Sequence, residues 1–167
     1  MPEKISTSDP AAAVAAMAEL MRSSDAETAR AGKRQLWEMV RHGRPGNDEQ
    51  QKAVVTALLS LIAGDQPASV KREAMWAVSE LGGDECVAPV AALLTDEVLR
   101  QDACMVLERL PGDKAIEALQ AALKTAPDGF RFQVAHSLRV RGIPVDDPPC
   151  QKLKPVRQTQ VKPVGRA

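Results

Sequence analysis

Apolar residues recur along most of the chain three and four positions apart, the period of a helix with one buried face. The signal is cleanest between Val70 and Leu110. There the chain reads Val70-Lys-Arg-Glu-Ala-Met-Trp-Ala-Val-Ser-Glu-Leu81, then Gly-Gly-Asp, and later Leu99-Arg-Gln-Asp-Ala-Cys-Met-Val-Leu-Glu-Arg-Leu110, then Pro-Gly-Asp. A shift of 29 lays Val70 on Leu99, Ala74 on Ala103, Ala77 on Val106, Val78 on Leu107, Leu81 on Leu110 and Asp84 on Asp113. A period of this length marks a helical repeat, whose units must stack to bury a continuous core.

The flanking pattern extends the repeat in both directions. Asp9-Pro10 supplies an N-cap and a first-turn proline for a short helix with Val14, Met17, Leu20 and Met21 on one face, which reads as a cap on the next layer. Ser24 or Asp25 opens a second helix running to about His42, and a shift of 41 places its Ala29, Leu36, Trp37 and Val40 on Val70, Ala77, Val78 and Leu81. Lys33 then falls on Ala74, so this copy is degenerate. Gly43-Arg-Pro-Gly46 ends it, and Asn47 caps a third helix carrying Val54, Val55, Leu58, Leu59 and Ile62, which Gly64-Asp65 stops.

The two clear repeats have partner helices at Asp84 to Leu94, with Pro89 tolerated about one turn in, and at Asp113 to Lys124, with Asp113 as its N-cap. A final copy, Phe130 to Gly142, follows at a shift of 31 and has no partner helix after it. Pro144, Pro148, Pro149, Pro155 and Pro163 leave no room for one. The pattern therefore predicts about three helix pairs, a capping helix in front and an unpaired one behind. The expected organisation is a flexible start over 1–8, a repeat domain over 9–145 and a disordered basic tail over 146–167 with the echo Lys154-Pro-Val-Arg157 and Lys162-Pro-Val-Gly-Arg166.

Composition agrees with an all-α chain. Of 167 residues 44% are hydrophobic, Tyr is absent, and Trp and Phe total four, so Ala, Leu, Val and Met build the core. The 22 basic and 22 acidic residues cancel, which argues against nucleic acid or an anionic membrane as the partner. The distribution is uneven, with eight Lys or Arg against three Asp from Asp128 to Ala167. Cys86, Cys104 and Cys150 are odd in number and lack a C-x-x-C, so they read as free thiols of a cytoplasmic protein. The Ala-rich run Ala11 to Met21 contains Glu19 and does not read as a signal peptide.

The stretches Val70 to Asp84 and Leu99 to Asp113 resemble the HEAT repeats, and within them the short bacterial, phycobilisome-lyase-type repeats, whose pattern is close to V-R-x-x-A-A-x-A-L-x-x-L-G-D. With weaker copies the likeness runs from about Ala26 to Gly142. It implies a short right-handed α-solenoid, an armadillo-like α/α superhelix, and a role in binding another protein. Relatives resembling deoxyhypusine hydroxylase carry His-Glu pairs that hold two irons. The corresponding dipeptides here are Arg72-Glu73, Gln101-Asp102 and Phe132-Gln133, with no His among them. A bilin-lyase-type activity is the other enzymatic alternative, and no residue is singled out as its agent.

The residues themselves offer little catalysis. Cys104 sits beside core position Ala103 and reads as an inert thiol, and Asp84 and Glu85 oppose activation of Cys86 at a helix start. No nucleotide-binding glycine motif is present. A line of equivalent positions, Trp76, Met105 and His136, with Arg72 beside it, is the candidate partner-binding set; Trp76 is either an exposed anchor or, the favoured reading, a seam between repeats. Arg131, Arg139, Arg141, Lys152, Lys154 and Arg157 read as solvated charge. The expectation is a monomeric, non-catalytic scaffold or adaptor, needing no cofactor or metal.

Overall fold

The computed structural model describes residues 4–41 and 48–146. Among the described residues there are no strands. Eight α-helices follow one another: α1 (Pro10–Met21), α2 (Ala26–Arg41), α3 (Asp48–Ala63), α4 (Ala68–Leu81), α5 (Val87–Ala91), α6 (Arg100–Arg109), α7 (Asp113–Thr125) and α8 (Asp128–Val140). His42, the Gly43 to Gly46 stop, Asn47, Cys150, and the tail with Lys152, Lys154 and Arg157 lie outside the described residues.

The helices stack in two layers. Helices α2, α4, α6 and α8 pack in succession and form the A layer, while α1, α3, α5 and α7 form the B layer behind them. The seam between layers is closed by fully buried Leu58, Ile62, Met75, Leu107, Leu119 and Leu138. This is the α-solenoid that the periodicity predicts, with two differences at its ends. Helix α1 is a full B-layer member, buried through Ala13, Val14, Met17 and Ala18 and packed on α2, α3 and α4. Helix α8 pairs with α7 and α6, so the described chain makes four pairs rather than three with extras.

The register of the first copy also differs from the expected shift of 41. A shift of 39 lays buried Ala31, Leu36 and Met39 on buried Val70, Met75 and Val78, and leaves Lys33 exposed. Gly32 explains why this copy looks degenerate. A Cβ there would stand 2.7 Å from the Leu20 Cβ and 2.8 Å from the Met17 carbonyl, so α1 crosses directly on the α2 backbone and leaves no room for a larger residue.

The segment expected as one helix from Asp84 to Leu94 is broken into a 3-10 turn (Asp84–Cys86), α5, and a second 3-10 turn (Ala92–Thr95). Pro89 has no N–H to bond the carbonyl four residues back, and the turn before it tightens. Buried Cys86, Val87, Val90 and Leu94 still anchor it to the core. Asp113 is the first residue of α7 and not its cap; Gly112, at φ +84°, precedes it. A Cβ on Gly112 would meet the Asp84 carboxylate at 2.7 Å, which itself pairs with Lys114 at 3.1 Å.

Aspartates satisfy free N–H groups at the starts of α1 and α2 and in the turn that leads into α6, whereas α4 and α8 begin after prolines without a side-chain cap. Asp9 accepts from the Ala11 and Ala12 N–H groups at 3.0 and 3.2 Å, Asp25 from Thr28 at 2.8 Å, and Asp96 from Val98 and Leu99 at 2.8 and 3.1 Å. Helix α8 closes in a Schellman turn, with Gly142 at φ +78° and the Ile143 N–H on the Leu138 carbonyl at 2.9 Å. Ile143 and Val145 then pack back on the core.

Candidate interaction surface on the A layer

Each A-layer helix presents a stripe of three residues spaced by four, and the stripes stand in register. They are Lys33, Trp37 and Arg41 on α2; Arg72, Trp76 and Glu80 on α4; Gln101, Met105 and Arg109 on α6; and Phe132, His136 and Val140 on α8. Residues four apart lie one above the other on a helix, so each stripe is a single ridge.

Between α2 and α4 the stripe reaches the next helix through charge. Glu73 of α4 receives the Lys33 ammonium at 2.6 Å and the Trp37 indole N–H at 2.9 Å. The same device recurs one step on. Asp102 of α6 receives the Arg72 Nε at 2.7 Å and the Trp76 indole N–H at 3.2 Å. Lower on the same step Glu80 accepts from Arg109 at 2.6 Å, and the Arg109 guanidinium lies 5.8 Å from the centre of the Trp76 ring. Arg41 sits likewise 4.5 Å from the Trp37 ring.

At the third step the device stops. The register position of Glu73 and Asp102 is Gln133 on α8, and the register positions of Arg72 and Trp76 on α6 are Gln101 and Met105. Met105 is 43% exposed, and on α8 Phe132 is 45% and Val140 56% exposed, with His136 exposed between them. Thus three of the four exposed large apolar side chains among the described residues gather on one end of the A layer; the fourth, Val98, lies in the loop before α6.

The four candidates from the sequence therefore divide. Arg72 and Trp76 are half-buried and belong to the α4–α6 seam, while Met105 and His136 stand free on its continuation. Phe132, Val140 and the acceptors Glu73 and Asp102 were not in the candidate set. Their signal is the repeat shift itself, which carries Arg72 to Gln101 to Phe132 and Glu80 to Arg109 to Val140.

The thiols are shut away. Burial and then the neighbouring Glu85 carboxylate push the Cys86 thiol up to about 12, and burial pushes that of Cys104 up to about 11 despite its contact with the Ser137 hydroxyl at 3.4 Å. The described basic side chains of the last helix serve the fold rather than standing as solvated charge. Arg141 donates to the Leu107, Glu108, Leu110 and Gly112 carbonyls and so caps the end of α6, Arg131 donates to the Leu123 carbonyl at 2.8 Å, and Arg139 to that of Val145 at 3.3 Å. Among the described residues no group of three His, Cys, Asp or Glu side chains is placed to hold a metal ion, and no helix is long and apolar enough to cross a membrane.

The family model for HEAT repeats matches residues 55–139, from within α3 into α8. The chain belongs to the HEAT-repeat family. The match is to HEAT repeats in general and does not single out the phycobilisome-lyase type. Among solved structures this HEAT-repeat chain is similar to an engineered protein from the Northeast Structural Genomics Consortium, at 22% identity and a TM-score of 0.41 over 76% of this chain. The chain spans 37% of the length of that protein. No curated protein matches it in sequence.

Proposed function

We propose that this HEAT-repeat protein is a non-catalytic scaffold or adaptor that binds another protein on the A layer. Repeats of this family typically serve protein interaction. The observation that supports the site is the exposure of Met105, Phe132, His136 and Val140 at successive positions of the ridge whose earlier members are occupied by neighbouring helices. Apolar side chains ringed by polar ones form the kind of patch that partners cover. Arg72 and Trp76 frame that patch from the seam; their contribution is to hold α6 in place.

The test is site-specific photo-crosslinking in the full chain. A crosslinker at Met105 joins a defined protein in extracts of the source cell, and one at Gln120, exposed on the B layer, does not. Equal products from the two positions, or none from Met105, would reject the A-layer site. Stoichiometric iron or a bound chromophore in the purified protein would overturn the non-catalytic reading.

A further inference from the structure

The A layer contains, twice over, a complete example of how one of its helices takes on the next. At each example the ridge of the earlier helix offers N–H donors, and the later helix brings a carboxylate: Glu73 for Lys33 and Trp37, Asp102 for Arg72 and Trp76. Helix α8 carries the corresponding ridge, Phe132, His136 and Val140, and no further A-layer helix stands beyond it among the described residues.

The geometry points to a specific occupant for that edge: an amphipathic helix of another protein that continues the A layer, its apolar side chains on Phe132 and Val140 and an Asp or Glu accepting a hydrogen bond from the His136 imidazole. This rests on the scaffold reading and adds the partner's chemistry to it. The support is continuity with the α2–α4 and α4–α6 interfaces, where an indole N–H occupies the register position of His136 and meets a carboxylate. An imidazole keeps at least one N–H donor in either protonation state and fills the same role.

Two other occupants would bring no matching carboxylate to His136. A second copy stacked head to tail would bring α2 onto α8, and at the register position of Glu73 helix α2 carries the exposed cation Arg34. The residues after Asp146 hold one acid, Asp147, among Lys152, Lys154, Arg157, Lys162 and Arg166, and five prolines or glycines, a poor match to an acidic helix.

The protein supplies its own probe. A hydrocarbon-stapled, fluorescein-labelled peptide with the sequence Ala68–Leu81 presents the α4 face that meets a preceding A helix, including Glu73. Titrated with the full chain and read by anisotropy, it is expected to bind saturably. Phe132→Ala and His136→Ala in the chain, and Glu73→Gln in the peptide, are each expected to weaken binding about tenfold, whereas Gln120→Ala on the B layer leaves it unchanged. Both chain variants alter exposed side chains, and a thermal melt confirms that they fold. Absent binding, or binding indifferent to Phe132 and His136, overturns the proposal. So does a sedimentation equilibrium in which the chain self-associates through these residues, or a tail-deleted chain that binds the peptide only once its own tail is gone. A partner crosslinked at Met105 alongside a failed peptide titration rejects the acidic helix and leaves the scaffold standing.

Discussion

The two ends of the A layer use the same ridge positions for opposite purposes. From α2 to α6, Lys33, Trp37, Arg72 and Trp76 are turned into internal clasps by Glu73 and Asp102, and little apolar surface is left over. From α6 to α8 the acids are missing, the ridge becomes Met105, Phe132, His136 and Val140, and the surface stays open. The core beneath is the same in both regions. What separates the closed seam from the open end is therefore the polar acceptor position and the ridge it faces, not the helix or its packing.

If the core runs unbroken beneath both regions, its thiols should report it most strongly. In a Cys150→Ala chain at pH 8, Cys86 and Cys104 are expected to react with a disulfide reagent more than about a thousandfold more slowly than in urea, because reaction waits for unfolding. Markedly faster labelling of Cys104 would show that the α6–α8 step opens by itself. The raised values carry a sign: protection is full below the unfolded thiol's value of 9, and stability falls as pH climbs from there through about 11 and 12.

Leu107, fully buried where α6 meets both regions, is expected to lose about 2 to 5 kcal/mol as Leu107→Ala in a urea melt. A loss under about half a kcal/mol would place it outside the core and break the register. Next comes Arg141→Ala. It removes a guanidinium shared by four carbonyls at the end of α6, and a cost of about 2 kcal/mol is expected.

Within the closed seam, Asp102→Ala should cost about 1 kcal/mol, the seam being half-exposed and its ion pair screened. A double-mutant cycle with Trp76→Phe separates the indole bond from the Arg72 pair. The smallest stability effect is expected at the open end, where Met105→Ala and Phe132→Ala stay within about half a kcal/mol of wild type. A larger loss there would make the ridge structural and remove the contrast between the two ends.

The sequence shows the helices, the repeat and the buried face from α4 onward, because Val, Leu and Ala at fixed spacing leave one solution. It misleads at α2, where Gly32 answers to a neighbour 12 residues earlier and not to the repeat. It also conceals the break at α5, since a proline near a helix start is usually harmless. The site is half-legible. Trp76, Met105 and His136 follow from the register, but whether Trp76 and Met105 are clasped or free depends on Asp102 and Gln133, which sit on the following helix and come near only after folding.

The interrupted B-layer element between α4 and α6 has an energetic consequence. Its two 3-10 turns hold their hydrogen bonds in poorer geometry than an α-helix does. The weakest backbone hydrogen bonding of the B layer therefore lies along Asp84 to Thr95, at the back of the α4–α6 clasp. The α4–α6 step is thus fastened in front by Arg72, Trp76 and Asp102 and backed by an interrupted element that buried Cys86, Val87, Val90 and Leu94 hold to the core.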